Sequence, residues 1–245
     1  MAQAESSTEV VLVDIEGTTT SISFVHDVLF PYAKENAKDY LLETWQTDET
    51  KLIVKELQQL PHYTEYAANL ATQPTLDAEA ISRFVRYLIE RDLKVTPLKT
   101  LQGLIWAKGY ADGQLRGHVY EDVAGAFGKW HQDGIRIAVY SSGSVAAQKL
   151  IFQHSIAGDL LPHLSAHFDT HIGHKQQSES YTKIAESLQV QPQHVLFLTD
   201  VPQEAAAARA AGMLTTLLER PGNAPLSEEE RKKFSSVADF TGIVV

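Results

Sequence analysis

The sequence predicts an α/β fold, a doubly wound parallel sheet with an all-helical segment inserted after its first strand. Three observations predict it. Short apolar runs end abruptly in polar residues, as strands buried on both faces do: Val10–Val13 before Asp14, Ile135–Tyr140 before Ser141 and Ser142, and Val195–Leu198 before Thr199 and Asp200. Helical stretches separate the second run from the third, which makes strand and helix alternate. Between about Ser23 and Gly117 the apolar residues instead follow helical spacing, with no convincing strand.

The elements follow in order. Val10–Val13 is the first strand. Asp27–Trp45 reads as helical with Pro31 near its start, and Leu52, Ile53, Leu57 and Leu60 form a stripe that stops at Pro61. Ile81, Phe84, Val85, Leu88 and Ile89 make the clearest amphipathic helix. Leu98, Leu101, Leu104 and Ile105 repeat the pattern after Pro97, which suits a first helical turn. The α/β rhythm then resumes with a helix over Val123–Gln132, a strand over Ile135–Tyr140 and a helix over Val145–Gln153. A weak strand near His167–Ile172, a helix over Tyr181–Leu188, the strand Val195–Leu198, a helix over Gln203–Ala211 and a strand over Met213–Leu218 complete it. Glu228–Lys233 reads as a mixed-charge helix surface. The expected domains are 1–22 with 118–245 as the sheet core and 23–117 as the helical insertion.

The 245 residues are enough for a sizeable core without disulfides or structural metal. No cysteine is present, which excludes thiol catalysis and thiolate metal sites and fits a reducing compartment. A net charge of −10 argues against nucleic-acid binding, which needs a basic face to displace counterions. The opening MAQAESSTEVVLVD has no basic stretch ahead of an apolar core, so no signal peptide is expected. Nor do about 18 apolar residues run together, so no membrane partner is expected. A cytoplasmic enzyme, monomeric and acting on a small molecule, is the expectation.

In open parallel sheets ligands bind beyond the carboxyl ends of the strands. Asp14 and Glu16, Ser141 and Ser142, and Asp200 stand at those ends. Each has a plain alternative as a turn former or helix cap. Together, three acids at one sheet edge would repel unless a hard cation neutralised them, and magnesium prefers a few carboxylate oxygens plus water. Ser142, Gly143 and Ser144 at a helix N-terminus would then face a phosphate. Lys175, in the loop Gly173–His174–Lys175, would supply the missing positive charge, although a loop lysine is ordinarily solvated. Glu204 follows Asp200 by one helical turn and reads either as a support for the metal site or as a partner of the helix dipole.

At these residues the chain resembles a known family. Asp14-Ile15-Glu16-Gly17-Thr18-Thr19, Tyr140-Ser141-Ser142-Gly143-Ser144, Gly173-His174-Lys175 and Leu198-Thr199-Asp200 occur in the order of the four motifs of haloacid dehalogenase-superfamily phosphatases. The longer strings VDIEGTTTSISFVHDVLFPYA, VYSSGSVAAQKLIF, FDTHIGHKQQSESY and LFLTDVPQEAAAARAAG resemble the enolase-phosphatases of methionine salvage. The likeness is weakest between about Gln46 and Ala80. It implies a Rossmann-like core with a helical cap over the active site, and a single Mg2+ per chain. The implied substrate is 2,3-diketo-5-methylthiopentyl-1-phosphate, a small phosphate ester that is first enolised and then dephosphorylated to an acireductone. It implies Asp14 as nucleophile and metal ligand and Glu16 as the matching second acid. It implies Ser141, Ser142 and Gly143 as the phosphate-binding motif, Lys175 as the stabilising cation and Asp200 as metal carboxylate, with Glu16 also in the metal set. Most of the superfamily carries Asp where this chain has Glu16, and the enolase-phosphatase branch carries Glu.

Less defined are Leu101-Gln102-Gly103-Leu104-Ile105-Trp106, which reads as cap core or as lining for a methylthioalkyl tail, and Tyr120, His26 and the loop Arg220–Asn223. His163, His167, His171 and His174 invite a metal-site reading, which the strand expected there would disrupt. Rival readings are a capped sugar-phosphate phosphatase or phosphomutase, and a phospho-receiver domain. The insertion after the first strand and the second acid at Glu16 oppose the receiver. A dinucleotide binder would need a Gly-x-Gly-x-x-Gly turn that is lacking.

Overall fold

The computed structural model describes residues 8–70 and 76–245; the opening residues on which a leader would be read lie outside them in part. The chain divides into two compact units, 1–25 with 116–245 and 26–115.

The first unit is built on a six-stranded, all-parallel sheet in the order β3-β2-β1-β4-β5-β6. Its strands are β1 (Val10–Val13), β2 (Arg136–Tyr140), β3 (Leu164–Phe168), β4 (Val195–Thr199), β5 (Leu214–Leu218) and β6 (Ser236–Val237). β1 and β4 are buried along their whole length because both faces are covered, which is why they contain only apolar residues before the terminal Thr199. Leu12, Tyr140, Tyr181 and Phe197 belong to one buried cluster, in which the Tyr181 ring meets Tyr140 edge-on at 5.5 Å and Phe197 at 5.1 Å. Because the order reverses between β1 and β4, with Val13 beside Leu198, the switch point lies between Asp14 and Asp200.

The second unit is helical: α1 (Phe30–Thr44), α2 (Asp48–Gln58), α3 (Pro61–Ala68), α4 (Ala78–Glu90) and α5 (Thr96–Ala111), preceded by a π-helical turn, Phe24–Leu29, that crosses the unit boundary. Thr47 and Asp77 cap α2 and α4 through Thr50 N–H at 3.2 Å and Ala80 N–H at 2.7 Å. Gly109 lets α1 and α5 approach closely, since a Cβ there would meet the Tyr32 ring at 2.7 Å. Leu101, Ile105 and Trp106 are buried, and the Trp106 indole N–H donates to the Leu29 carbonyl at 2.8 Å. Gln102 is buried as well.

The core helices are α6 (Glu121–Gln132), α7 (Val145–Gln153), α8 (Ser178–Leu188), α9 (Pro202–Ala210) and α10 (Glu228–Lys233). One expectation needs correction. The weak strand is Leu164–Phe168, upstream of His167–Ile172, because the chain turns at Asp169, whose Oδ1 accepts the His171 backbone N–H at 2.9 Å. The stripe of Leu52, Ile53, Leu57 and Leu60 ends ahead of Pro61 as expected, since α2 stops at Gln58, and Pro61 then opens α3, which packs Tyr63 and Tyr66 on Phe84 at 5.0 and 5.2 Å. Among the described residues no helix is long and apolar enough to cross a membrane.

Candidate active site

The loop after β1 is pinned almost atom by atom. The Ile15 carbonyl accepts the N–H groups of Thr18, Thr19 and Thr20 at 3.2, 3.0 and 2.9 Å, and Gly17 N–H returns to the Thr20 carbonyl at 2.8 Å. This tight turn needs Gly17 at φ +68°, and Asp200 Oδ2 lies 2.4 Å from where a Gly17 Cβ would stand. The Thr19 hydroxyl lies 3.1 Å from the Asp14 carbonyl, and Thr19's own carbonyl accepts Tyr120 N–H at 3.0 Å. Asp14, 4% exposed, is therefore held at the end of β1, with its Oδ1 accepting Ile15 N–H at 2.7 Å.

Lys175 reaches the same carboxylate from the loop after β3. Its Nζ is 2.8 Å from Asp14 Oδ2 and 2.7 Å from Glu204 Oε2, and all three side chains are buried. Burial alone would push the ammonium down, but the two carboxylates outweigh it and hold Lys175 above its usual range. The loop is locked from below, where the Tyr140 hydroxyl donates to the Gly173 carbonyl at 3.0 Å and the Tyr181 hydroxyl to the Lys175 carbonyl at 2.6 Å.

Gly173 has φ +145°, and a Cβ there would lie 2.2 Å from Ser180 Oγ, which donates to the His174 carbonyl at 2.8 Å. Gly173→Ala is expected to destabilise the protein by about 1–3 kcal/mol and to lower turnover by displacing Lys175. Urea unfolding alongside steady-state kinetics checks this; a change below about 0.5 kcal/mol would show that the turn relaxes freely.

The acids are unevenly charged. Burial, then the neighbouring Asp14 carboxylate, pushes Asp200 up to about 7, and Glu16 acts on it only weakly. Burial and Asp14 also push Glu204 up, against Lys175 and the Thr199 hydroxyl at 3.0 Å. A buried acid cluster with one lysine among it has unmet negative charge, and its hard oxygen donors suit a divalent cation such as magnesium. Asn223 Oδ1, a buried acceptor with no donor, lies 2.9 Å from the same Gly17 Cβ position as Asp200 Oδ2 and adds another oxygen there. Among the described residues no three His, Asp or Glu side chains converge to hold a metal on their own.

The serine turn sits at the end of β2. Ser141 is buried and its Oγ accepts Gly143 N–H at 3.3 Å, whereas Ser142 is exposed. Ser144 caps α7 through Ala147 N–H at 3.3 Å. Gln148 Nε2 donates to the carbonyls of Gly143 at 2.9 Å and Phe168 at 2.7 Å, fixing the turn to β3. Asp169 Oδ2 accepts Val145 N–H at 3.2 Å. Burial would raise Asp169, but the His171 N–H and ring and the Val145 N–H hold it below the usual carboxylate range. The four histidines go separate ways: His163 meets His131, His167 lies 3.3 Å from Gln148, His171 pairs with Asp169 and His174 accepts Gln176 N–H.

The structure thus brings Asp14, Lys175, Glu204 and Asp200 to one place, with the Ser141–Ser144 turn at the same sheet edge. Gln148, Asp169 and Tyr181 had no role in the sequence reading, and Tyr140 and Thr199 entered it only as motif members without a role of their own; the places of the latter two directly before Ser141 and Asp200 were the signal.

Comparison with known proteins agrees. Residues 8–212 match the family model of haloacid dehalogenase-like hydrolases. Enolase-phosphatase E1 of Drosophila virilis is 76% identical over 243 residues, covering 99% of this chain and 98% of the relative. That of Drosophila melanogaster is 61% identical, covering 98% and 94%. Among solved structures, the UTR4 protein of Saccharomyces cerevisiae superposes with a TM-score of 0.80 at 30% identity, covering 97% of this chain and 100% of that one. CbbY from Rhodobacter sphaeroides, at 16% identity, a TM-score of 0.56 and coverage of 96% of each chain, shares the fold. The chain belongs to the haloacid dehalogenase-like hydrolases and, within them, to the enolase-phosphatase E1 family.

Proposed function

We propose that the chain is a magnesium-dependent enolase-phosphatase that converts 2,3-diketo-5-methylthiopentyl-1-phosphate to the acireductone 1,2-dihydroxy-3-keto-5-methylthiopentene with release of phosphate. It acts as a cytoplasmic monomer with one ion per chain, and the helical unit serves as its cap. The observation that carries this reading is the Asp14–Lys175–Glu204 ion-pair chain at the switch point, with Asp200 across it.

Asp14 and Asp200 would hold the ion through their side chains and Glu16 through its backbone carbonyl. The ion supplies charge neutralisation between phosphate and carboxylates. Asp14 attacks phosphorus in line; its oxygen–phosphorus bond forms as the ester oxygen–phosphorus bond breaks. Lys175 offsets the repulsion between this carboxylate and the phosphate dianion. Ser142 and the N–H groups of its turn hold the phosphoryl oxygens. Water then cleaves the aspartyl phosphate and regenerates Asp14. Before this, enolisation removes a proton from the carbon bearing the phosphate. Glu16 takes that proton as the carbon–carbon double bond forms and the adjacent carbonyl oxygen gains a proton from water to become the enol; Glu16 then gives its proton to the ester oxygen as that oxygen leaves phosphorus.

The wild-type protein should release phosphate from the diketone phosphate at least tenfold more efficiently than from a panel of sugar phosphates. Equal efficiency would favour a general phosphatase. Asp200 must also lose its proton to hold a cation. Because its folded value is about 7, above that of an unfolded Asp, the ion-free fold gains stability as pH falls through about 7. Magnesium affinity should therefore rise up to about pH 7 and flatten above it. Calorimetry at pH 6 in buffers of different ionisation enthalpy should detect proton release on magnesium binding. Affinity that did not change between pH 5.5 and 8 would refute this.

A further inference from the structure

Arg220 is a buried cation that the reaction scheme does not use. It follows β5 and is 5% exposed. Its Nη1 and Nη2 each donate to Asp122, in the first turn of α6, at 2.7 Å, and its Nε donates to the Thr18 carbonyl at 3.0 Å. The guanidinium lies over the rings of Tyr120 at 4.3 Å and Phe240 at 4.9 Å, and Asp122 Oδ2 also accepts Phe240 N–H at 2.8 Å. Buried pairs of this kind are often no more stabilising than apolar residues of the same volume. What the planar fork adds is fixed geometry, here between the β1 loop, α6 and the C-terminal turn. Since Asp122 neutralises Arg220, the brace adds no net charge beside the acid cluster.

Three residues on, Asn223 does the same for the adjacent peptide. Its Nδ2 donates to the carbonyls of Gly17 at 2.8 Å and Leu218 at 3.1 Å. With both amide hydrogens committed to carbonyls, Oδ1 must be the group facing the other way, and it is buried with no donor. An unpaired buried acceptor is costly, and nature fills such places with water or a ligand. This oxygen and Asp200 Oδ2 lie 2.9 and 2.4 Å from the point where a Gly17 Cβ would stand, so both pack against the bare Cα of Gly17 and lie beside each other.

We propose that Arg220 and Asn223 are positioning residues for the nucleophile loop, and that Asn223 Oδ1 accepts a hydrogen bond from a water in the hydration shell of the ion held beside Asp200. Arg220 fixes the Thr18 carbonyl and Asn223 the Gly17 carbonyl, and together they set the angle at which Asp14 and Glu16 are presented. The inference rests on the magnesium reading above.

The test uses the full chain, with magnesium chloride titrated calorimetrically in the absence of substrate, and kinetics measured on the diketone phosphate and on an aryl phosphate. Asn223→Ala is expected to weaken magnesium binding about tenfold and to lower kcat 10–100-fold with KM within threefold. The paired replacement Arg220→Met with Asp122→Leu leaves no orphaned charge. It should keep the melting temperature within about 5 °C while kcat falls by a similar factor. If that pair does not fold, Arg220→Lys replaces it, keeping the charge but losing the fork, and the same kcat loss without a KM change is expected. Folded variants whose magnesium affinity and kcat stay within twofold of wild type would overturn the proposal. A wild-type protein that binds no magnesium would instead overturn the reading of the site itself, so the two failures are distinguishable.

Discussion

Replacing Asp14 by Asn is expected to abolish phosphate release, with kcat down roughly 10^4-fold or more, as for removal of other nucleophiles, while the fold is retained. Asn keeps the shape and can still accept Ile15 N–H, as Asp14 Oδ1 does at 2.7 Å. It also removes the carboxylate that helps push Asp200 and Glu204 upward. Lys175 keeps Glu204 at 2.7 Å, so no buried charge is orphaned. Lys175 does lose its 2.8 Å acceptor at Asp14 Oδ2, and with Oδ1 on Ile15 the Asn amide NH2 would face the ammonium. The variant should therefore fold but melt somewhat lower than wild type, and both remaining acids should titrate closer to the ordinary carboxylate range. Incubated with the diketone phosphate and magnesium, it should accumulate the enol phosphate, visible as an ultraviolet absorbance that rises without inorganic phosphate. Glu16→Gln should do the opposite and prevent that absorbance from appearing. Phosphate release by Asp14→Asn at near wild-type rate would refute covalent catalysis, and normal enol formation by Glu16→Gln would move the base elsewhere.

How much of this was legible in the sequence follows from burial and sequence distance. β1 and β4 were legible because they are covered on both faces and leave uninterrupted apolar runs. β3 was misplaced because it is an edge strand in which only Phe168 is buried, so Leu-Ser-Ala-His-Phe carries almost no pattern. β6 is two residues long, too short for any period. Asp14, Ser141 and Asp200 were legible together because a parallel sheet brings all its strand ends to one edge. Lys175 was legible as the charge that edge lacked, and through the resemblance. Its pairing with Glu204 was not, because the lysine comes from an irregular loop with no periodic signal. The brace was the least legible. Arg220 finds Asp122 98 positions away and Asn223 finds Gly17 206 positions away, and nothing local distinguishes Arg-Pro-Gly-Asn from an ordinary turn.

Lys175→Met is expected to have the second-largest effect, and it separates charge from shape. Lys175 is buried between two carboxylates at 2.8 and 2.7 Å, so removing it leaves Asp14 and Glu204 facing each other without a counter-ion. Breaking one side of a buried pair costs about 3–5 kcal/mol, and losing a charge aimed at the reacting phosphoryl group lowers kcat roughly 10^2–10^3-fold or more. Lys175→Arg should not restore activity, because the planar fork is wider than the compact ammonium this gap holds. The sign of the pH dependence is fixed. In the variant Glu204 lies further above its unfolded value, so the native state binds more protons than the unfolded state over that interval. The stability deficit against wild type should thus be greatest near pH 8 and shrink as pH falls toward 5. Adding Glu204→Gln to Lys175→Met removes the acid left alone, and should recover most of the lost stability at pH 8 while activity stays low. Chemical denaturation of both single variants and the double variant at pH 8 and pH 5 measures this coupling. Additive stability losses with no pH dependence would mean that Lys175 and Glu204 do not act as a pair, and a Lys175→Met protein within tenfold of wild-type kcat would mean that the lysine is not needed for the chemistry.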